Sequence, residues 1–283
     1  MVIAITGIIS AIVAVFIKSP VDSYFASARR AELTDVADTA VRRIARDIHL
    51  ALPNSVRNPV NGSDQCVEFI PTKLGGRYRA AAEAAGGDFL DFFITPADGS
   101  FDMLWLNSGL PAADQIAAGD VVVVYNDGSS SGDAYTGRNA IKVAGPPVEP
   151  GGTLNSTAIT FVAAGVGVPF DRKQFPAESP NNRFQVIPAA GHVLSYACNG
   201  TSLNRYSRTL AAAWARPADC AAMALGATSS LLAQNVSACS LKYDPPGVST
   251  GLSRFGIVSI SLQMTQGGES VKLYHQIHVD NTP

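Results

Sequence analysis

The sequence predicts an α+β fold, in which one long N-terminal helix packs on an antiparallel β-sheet with an elaborated strand and loop region. Residues 1–52 carry helical patterning without a clear break. After Pro53, short apolar runs alternate with Gly, Pro, Asn and Ser, which is typical of strands and turns. A helix followed by many strands favours an α+β arrangement, because the apolar face of the sheet needs a cover.

The composition narrows the possible functions. Of the 283 residues, 47% are hydrophobic and 16% are charged, which is ample material for a large core. The 25 glycines and 17 prolines favour a body rich in strands and loops. The net charge of −2 gives no electrostatic reason to expect nucleic acid as a partner.

The four cysteines fit no CxxC spacing, so a zinc or thioredoxin-like site is not expected. Their even number is typical of one or two disulfides formed in an oxidising compartment. The residues alone leave three full pairings open. The closest pair along the chain favours Cys220–Cys239, which leaves Cys66–Cys198.

The opening stretch, MVIAITGIISAIVAVFI, contains no charged residue. As a helix it would rise about 25 Å, somewhat less than the thickness of a bilayer's hydrocarbon core. A cleaved signal peptide would need a basic region before it, which is absent from this sequence. A buried core helix would usually show a polar stripe. We therefore expect a retained segment that packs first in lipid and then against other helices.

An amphipathic pattern follows the apolar stretch in phase and ends at Pro53. One helix is therefore expected, with a kink or local loosening near Gly7 and Pro20. Its first part, residues 1–23, is the predicted transmembrane or filament-core segment. Residues 24–283 form the predicted periplasmic globular domain, which includes the amphipathic half at 24–52.

Two sets of helix residues have predicted roles in this interpretation. The membrane and assembly set is Ile3, Ile5, Ile8, Ile9, Ile12, Val13, Val15 and Phe16. The set that packs the helix on the sheet is Leu33, Val36, Val41, Ile44 and Ile48.

This organisation resembles type IV pilins and type II secretion pseudopilins. The stretch SARRAELTDVADTAVRRIARDIHLALPNSVR and the ending GGESVKLYHQIHVDNTP are similar to the large minor pilin of mannose-sensitive haemagglutinin (MSHA) type pili. The resemblance implies a pilin-like fold and a precursor that is cut and N-methylated by a prepilin peptidase. The family's basic leader and Gly-Phe-Thr-Leu-x-Glu junction do not occur here, so Met1 is expected to fall just after the family's Glu.

The resemblance implies a minor subunit, at the tip or in initiation, of a type IV pilus-like filament. Its partners would be other major and minor pilins, the inner membrane, the pilus assembly machinery and, for the precursor, the prepilin peptidase. The body would lie in the periplasm of a Gram-negative bacterium and then in a surface filament involved in cell adhesion. A J-type minor pseudopilin of a type II secretion system is an alternative with the same architecture.

A membrane-anchored periplasmic hydrolase or binding protein is an alternative of another class. Gly128-Ser-Ser-Ser-Gly132 has the GxSxG spacing of a nucleophile elbow, with Ser130 as nucleophile, but turn-forming residues follow it instead of a helix. Asn126, Asp127 and Asp133 offer oxygens for calcium without the ligand pattern of an EF-hand. We therefore expect no enzyme activity, no catalytic or metal residues and no cofactor.

Overall fold

The computed structural model describes residues 2–82, 86–151, 155–166, 168–210, 215–245 and 255–283, without the side chains of residues 8, 11, 14, 15, 17, 19 and 255. Helix α1 spans Val2–His49 and contains 48 residues, which corresponds to a length of about 72 Å. It continues through both Gly7 and Pro20, where a kink is predicted. Arg46 and His49 lie in its last turn, where positive charge is favourable.

Thirteen strands and one further short α-helix follow in the described ranges. The strands are β1 (Cys66–Phe69), β2 (Leu74–Arg77), β3 (Ser100–Met103), β4 (Val121–Val124), β5 (Ala140–Lys142), β6 (Thr157–Thr160), β7 (Arg183–Ile187), β8 (His192–Asn199), β9 (Ser202–Thr209), β10 (Thr228–Ala233), β11 (Val236–Asp244), β12 (Phe255–Gln266) and β13 (Glu269–Asp280). The short helix is α2 (Cys220–Ala224).

These strands form four separate sheets, ordered β1-β8-β9-β10, β11-β12-β13, β2-β7-β4-β5 and β3-β6. Two tight hairpins set the register of the longest strands. Gly267 and Gly268 link β12 to β13, and both have positive φ, as a type I′ turn requires. Gly200 and Thr201 are the two turn residues between β8 and β9, because Asn199 pairs with Ser202. The turn is therefore one residue later than the Asn199-Gly200 pair, which is a common hairpin turn sequence.

The predicted α+β class, with one long helix on a single antiparallel sheet, is therefore wrong. The chain is mostly β, with four sheets, and α1 is the only described helix longer than seven residues. The physical reason is that residues 74–187 bury an aromatic core of their own, between the sheet that contains β4 and the pair β3-β6. A region with its own core is not an elaboration on another sheet.

The C-terminal half of α1 packs on two of the four sheets. Leu33, Ile44 and Ile48 are buried together with residues of β12 and β13 and with residues of β1 and β8. Val41 is buried in the same core, and Val36 is partly buried against it. A three- and four-residue spacing places these side chains on one face, which explains why a single stripe meets the core.

The predicted disulfide pairing is also wrong: the structure pairs Cys66 with Cys220 and Cys198 with Cys239. Cys66 lies directly opposite Ala197, so these two side chains point to the same face of the sheet. Cys198 is the next residue of β8, and its side chain therefore points to the other face. Cys66 therefore meets α2 on one face, and Cys198 meets β11 on the other. The Cα–Cα distances of 5.7 and 6.3 Å suit both bonds.

Candidate assembly surface

The N-terminal half of α1 presents apolar side chains to solvent. Every side chain described between Val2 and Phe25 is exposed. Phe16, for example, keeps 80% of its surface accessible. Of the predicted assembly set, the exposed members are Ile3, Ile5, Ile9, Ile12, Val13 and Phe16. Ile8 and Val15 belong to the same set, and their side chains lie outside the described residues.

The large apolar side chains in this half do not form a single stripe. Ile5, Ile9, Ile12 and Phe16 follow steps of three and four residues, whereas Ile3 and Val13 lie on other faces of the helix. A helix that is apolar on all sides is suited to apolar surroundings on all sides. This half is therefore a surface that several neighbours can cover at once. We call the described residues Val2–Phe25 the assembly surface.

Polar contacts fix the other half of α1 to the body. The Tyr196 hydroxyl donates to Asp47 Oδ2 at 2.5 Å, and Arg205 Nε donates to the same oxygen at 3.1 Å. Burial raises the pKa of Tyr196, and the hydrogen bond to the Asp47 carboxylate raises it further. Near the start of the packed half, Arg30 Nε lies 2.9 Å from Glu269 Oε2 at the β12–β13 turn. The assembly surface therefore continues directly into a helix that is anchored on two sheets.

Among the helices that the structure describes, none combines the length and apolar character needed to traverse a bilayer.

The Ser130 loop lacks the geometry of a nucleophile elbow. Gly128–Gly132 forms a series of bends in which Ser130 is exposed, and Gly132 oxygen accepts bonds from two backbone amides of the same loop. The 3-10 turn Ala134–Thr136 follows instead of a helix. A strained strand-to-helix turn is the element that would present Ser130 to a substrate.

The oxygens proposed for calcium are used in turns of the chain. Asn126 Oδ1 accepts from the Ala134 amide, Asp127 Oδ1 from the Ser129 amide, and Asp133 Oδ1 from the Tyr135 amide. Burial raises the pKa of the Asp133 carboxyl, and the amide bond from Tyr135 opposes that rise. No cluster of three or more His, Cys, Asp or Glu side chains suited to a metal occurs in the described part of the chain.

One surface feature was missed from the sequence. A cleft lies between the end of α1 and β2, and its lining comes from segments far apart in the chain, including His49, Arg77, Trp105 and Arg183. No periodicity or motif connects these positions, so only the folded chain brings them together.

Comparison with known proteins gives no relative for this chain. No protein-family model, curated protein sequence or solved structure matches it.

Proposed function

We propose that this protein is a minor subunit, at the tip or in initiation, of a type IV pilus-like filament. The observation that carries the proposal is the assembly surface, an exposed apolar half-helix continuous with a half that is fixed to the body. A continuous helix of this kind connects the half-helix directly to the domain it carries. The resemblance of the helix sequence to MSHA-type minor pilins supports the same role.

The energetics favour burial of the assembly surface. Covering a side chain such as Ile12 or Phe16 stabilises an assembly by about 1.5–3 kcal/mol relative to exposure in water. Equivalent helices from major and minor pilins offer apolar partners on several sides at once. In the inner membrane, lipid would serve the same purpose before assembly, so transfer into the filament gains little and needs the pilus assembly machinery.

The size of the body suits a position at the end of a filament. Residues 50–283 carry all four sheets, and only the C-terminal half of α1 is packed among them. Bodies of this size crowd one another when they repeat along a shaft, whereas a tip carries a single copy. The body would lie in the periplasm of a Gram-negative cell until the filament extends.

Site-specific photo-crosslinking tests the proposal in the cells that produce the protein. A benzoylphenylalanine placed at Phe16 should crosslink to the apolar N-terminal helices of other pilin-type subunits, identified by mass spectrometry. Phe93 is the matched control, because it is 85% exposed but lies in the body. Benzoylphenylalanine at Phe93 should give none of these helix crosslinks.

Two results would overturn the proposal. One is a mature polypeptide that begins near Arg29, since the assembly surface would then be removed. The other is a Phe16 crosslink that reaches lipid but no protein when filaments are present. Crosslinks to pseudopilins of a secretion system would keep the helix-packing role but transfer it to a secretion pseudopilus.

A further inference from the structure

An open cleft of about 660 Å³ lies where the C-terminal end of α1 meets strand β2. Small-molecule sites in proteins commonly have volumes of about 300–1,000 Å³. β2 is the edge strand of its sheet and pairs with β7 alone. The cleft is separate from the assembly surface, so its function does not depend on filament formation.

Two arginines share one face of this cleft. Arg77 of β2 lies directly opposite Arg183 of β7, and directly opposite residues in an antiparallel pair project to the same side. Like charges in this position are unfavourable. Neither side chain forms an ion pair with a carboxylate among the residues that the structure describes. The cleft therefore presents a pair of positive charges that an anion would stabilise.

An exposed tryptophan stands beside the arginine pair. Trp105 is 61% exposed and lines the same cleft. The Leu104 amide donates to the Arg77 carbonyl at 2.9 Å, which joins the tryptophan segment to β2. Thr157 Oγ1 donates to the Trp105 carbonyl at 2.7 Å, and a Cβ on Gly109 would lie 3.4 Å from the indole nitrogen. The Trp105 segment is thus held against β2, and most of the indole surface remains exposed.

The same sheet face offers a buried acceptor and an empty position. Gln185 lies opposite Gly75, and its Oε1 is buried without a hydrogen-bond partner in the described part of the chain. A buried carbonyl oxygen without a donor is unfavourable. A Cβ added to Gly75 would meet only the Phe184 carbonyl, at 3.8 Å, so there is room beside Gln185.

We propose that this cleft binds an acidic saccharide, a sugar ring that carries a carboxylate. The C–H face of the ring would stack on Trp105, and the carboxylate would bind Arg77 and Arg183 through charge-assisted hydrogen bonds. Sugar hydroxyls donate hydrogen bonds, which the Asp280 carboxylate at the same cleft can accept. Asp280 and the C-terminal end of α1 disfavour a doubly charged phosphate in the same cleft.

Tryptophan fluorescence can measure this binding directly. The chain has two tryptophans, and Trp214 lies outside the described residues. In a Trp214→Phe background, the emission reports on Trp105 alone. Titration with trigalacturonate should change that emission in a saturable way, and added salt should weaken the binding because the contact is charged.

Matched variants separate the cleft from general surface charge. Arg77→Gln/Arg183→Gln should weaken trigalacturonate binding by about tenfold or more, because two charge-assisted contacts are lost. Arg43→Gln/Arg138→Gln removes the same charge from exposed positions outside the cleft and should change binding by less than about twofold. Gly75→Leu should abolish the response by filling the space beside Gln185, and circular dichroism checks that its fold is unchanged.

Several outcomes would overturn the inference. They are an unchanged emission with trigalacturonate, an equal loss in both double-arginine variants, and equal binding of the neutral methyl ester. Tighter binding of a nucleoside monophosphate than of trigalacturonate would also overturn it, since the cleft would then prefer a different class of anion.

Discussion

The two halves of α1 contain the same kinds of apolar residue in opposite surroundings. Ile12 is exposed, whereas Ile44 is fully buried against β-sheet residues. Both belong to one helix of 48 residues, which continues through Pro20. The difference therefore comes from what the rest of the chain places next to each turn.

The contrast shows that the apolar pattern of a helix indicates which of its faces are suited to burial. The pattern does not indicate which part of the chain, or which other molecule, buries them. The packed half needs one face covered, and the chain supplies two sheets for it. In the assembly surface, apolar side chains extend over several faces, and the described body covers none of them. A helix with exposed apolar side chains on several faces is suited to packing against several helical neighbours. This is the basis of the proposed filament role.

The largest expected effect comes from truncating an isoleucine in each half. Ile44→Ala should lower the free energy of unfolding of the body by about 3 kcal/mol, because it leaves a cavity between helix and sheets. Ile12→Ala should change it by less than about 0.5 kcal/mol, because the side chain is exposed. Urea unfolding followed by near-ultraviolet circular dichroism measures both. A similar loss in the two variants would mean that the assembly surface packs on the body.

The helix was predictable because its signals are local. Leu33, Ile44 and Ile48 occur at helical spacing, and Pro53 ends the pattern within a few residues of the observed end at His49. The hairpin at Gly267-Gly268 has a local signal of the same kind, since turn residues specify their own geometry. Both depend on residues within a few positions of one another.

The sheet arrangement and the disulfides were not predictable, because they depend on partners far apart in the chain. β4 pairs with β7, about 60 residues later, and no short-range feature of Val121–Val124 selects that partner. The pairing of Cys66 with Cys220 follows from the register of β1 on β8, which sequence spacing does not contain. The cleft was missed for the same reason, since its two arginines meet only through the pairing of β2 with β7.

A second pair of matched positions extends the contrast from the helix to a strand. Gly75 and Gly76 are neighbours in β2, but their faces differ. A Cβ on Gly76 would lie 2.7 Å from Cζ of the buried Phe184 ring, whereas a Cβ on Gly75 has space. Gly76→Ala should therefore cost about 2 kcal/mol of stability through overpacking.

Gly75→Ala serves as the control and should remain within about 0.5 kcal/mol of the natural chain. Thermal unfolding of the two variants under identical conditions measures the difference. Equal stability of the two variants would show that Phe184 moves without cost, and that the core between these sheets is looser than its burial indicates.

A smaller effect is expected from the hydrogen bond that fixes the packed half of α1. Tyr196→Phe removes the bond to Asp47 and should lower the free energy of unfolding by about 1.5 kcal/mol at pH 7, since the acceptor is charged. Asp47 keeps its contact with Arg205 in this variant. The loss is therefore confined to one bond between helix and sheet.

The same hydrogen bond predicts a dependence on alkaline pH. Burial and Asp47 raise the pKa of Tyr196 in the folded state above the ordinary tyrosine value of about 10. Below about pH 10 the folded and the unfolded state both hold the Tyr196 proton, so the hydrogen bond makes its full contribution to stability. Above it the unfolded state releases the proton first, and stability falls as pH rises. Tyr196→Phe should show a shallower decline than the natural chain above pH 10, and equal slopes would contradict the assignment.

The smallest expected effect is at the junction between the two halves of α1. Arg30 pairs with Glu269 at 2.9 Å, but the arginine side chain is 58% exposed. Solvent and salt screen such a pair, so Arg30→Ala should change the free energy of unfolding by less than about 0.5 kcal/mol. The control is Arg42→Ala, which removes an exposed pair with Asp38 within the helix. The contrary result would be a loss of unfolding free energy in Arg30→Ala that is several times the loss in Arg42→Ala at moderate salt. The contact with the β12–β13 turn would then fix the direction of the assembly surface. The packed half of α1 would also begin closer to the N-terminus than burial alone indicates.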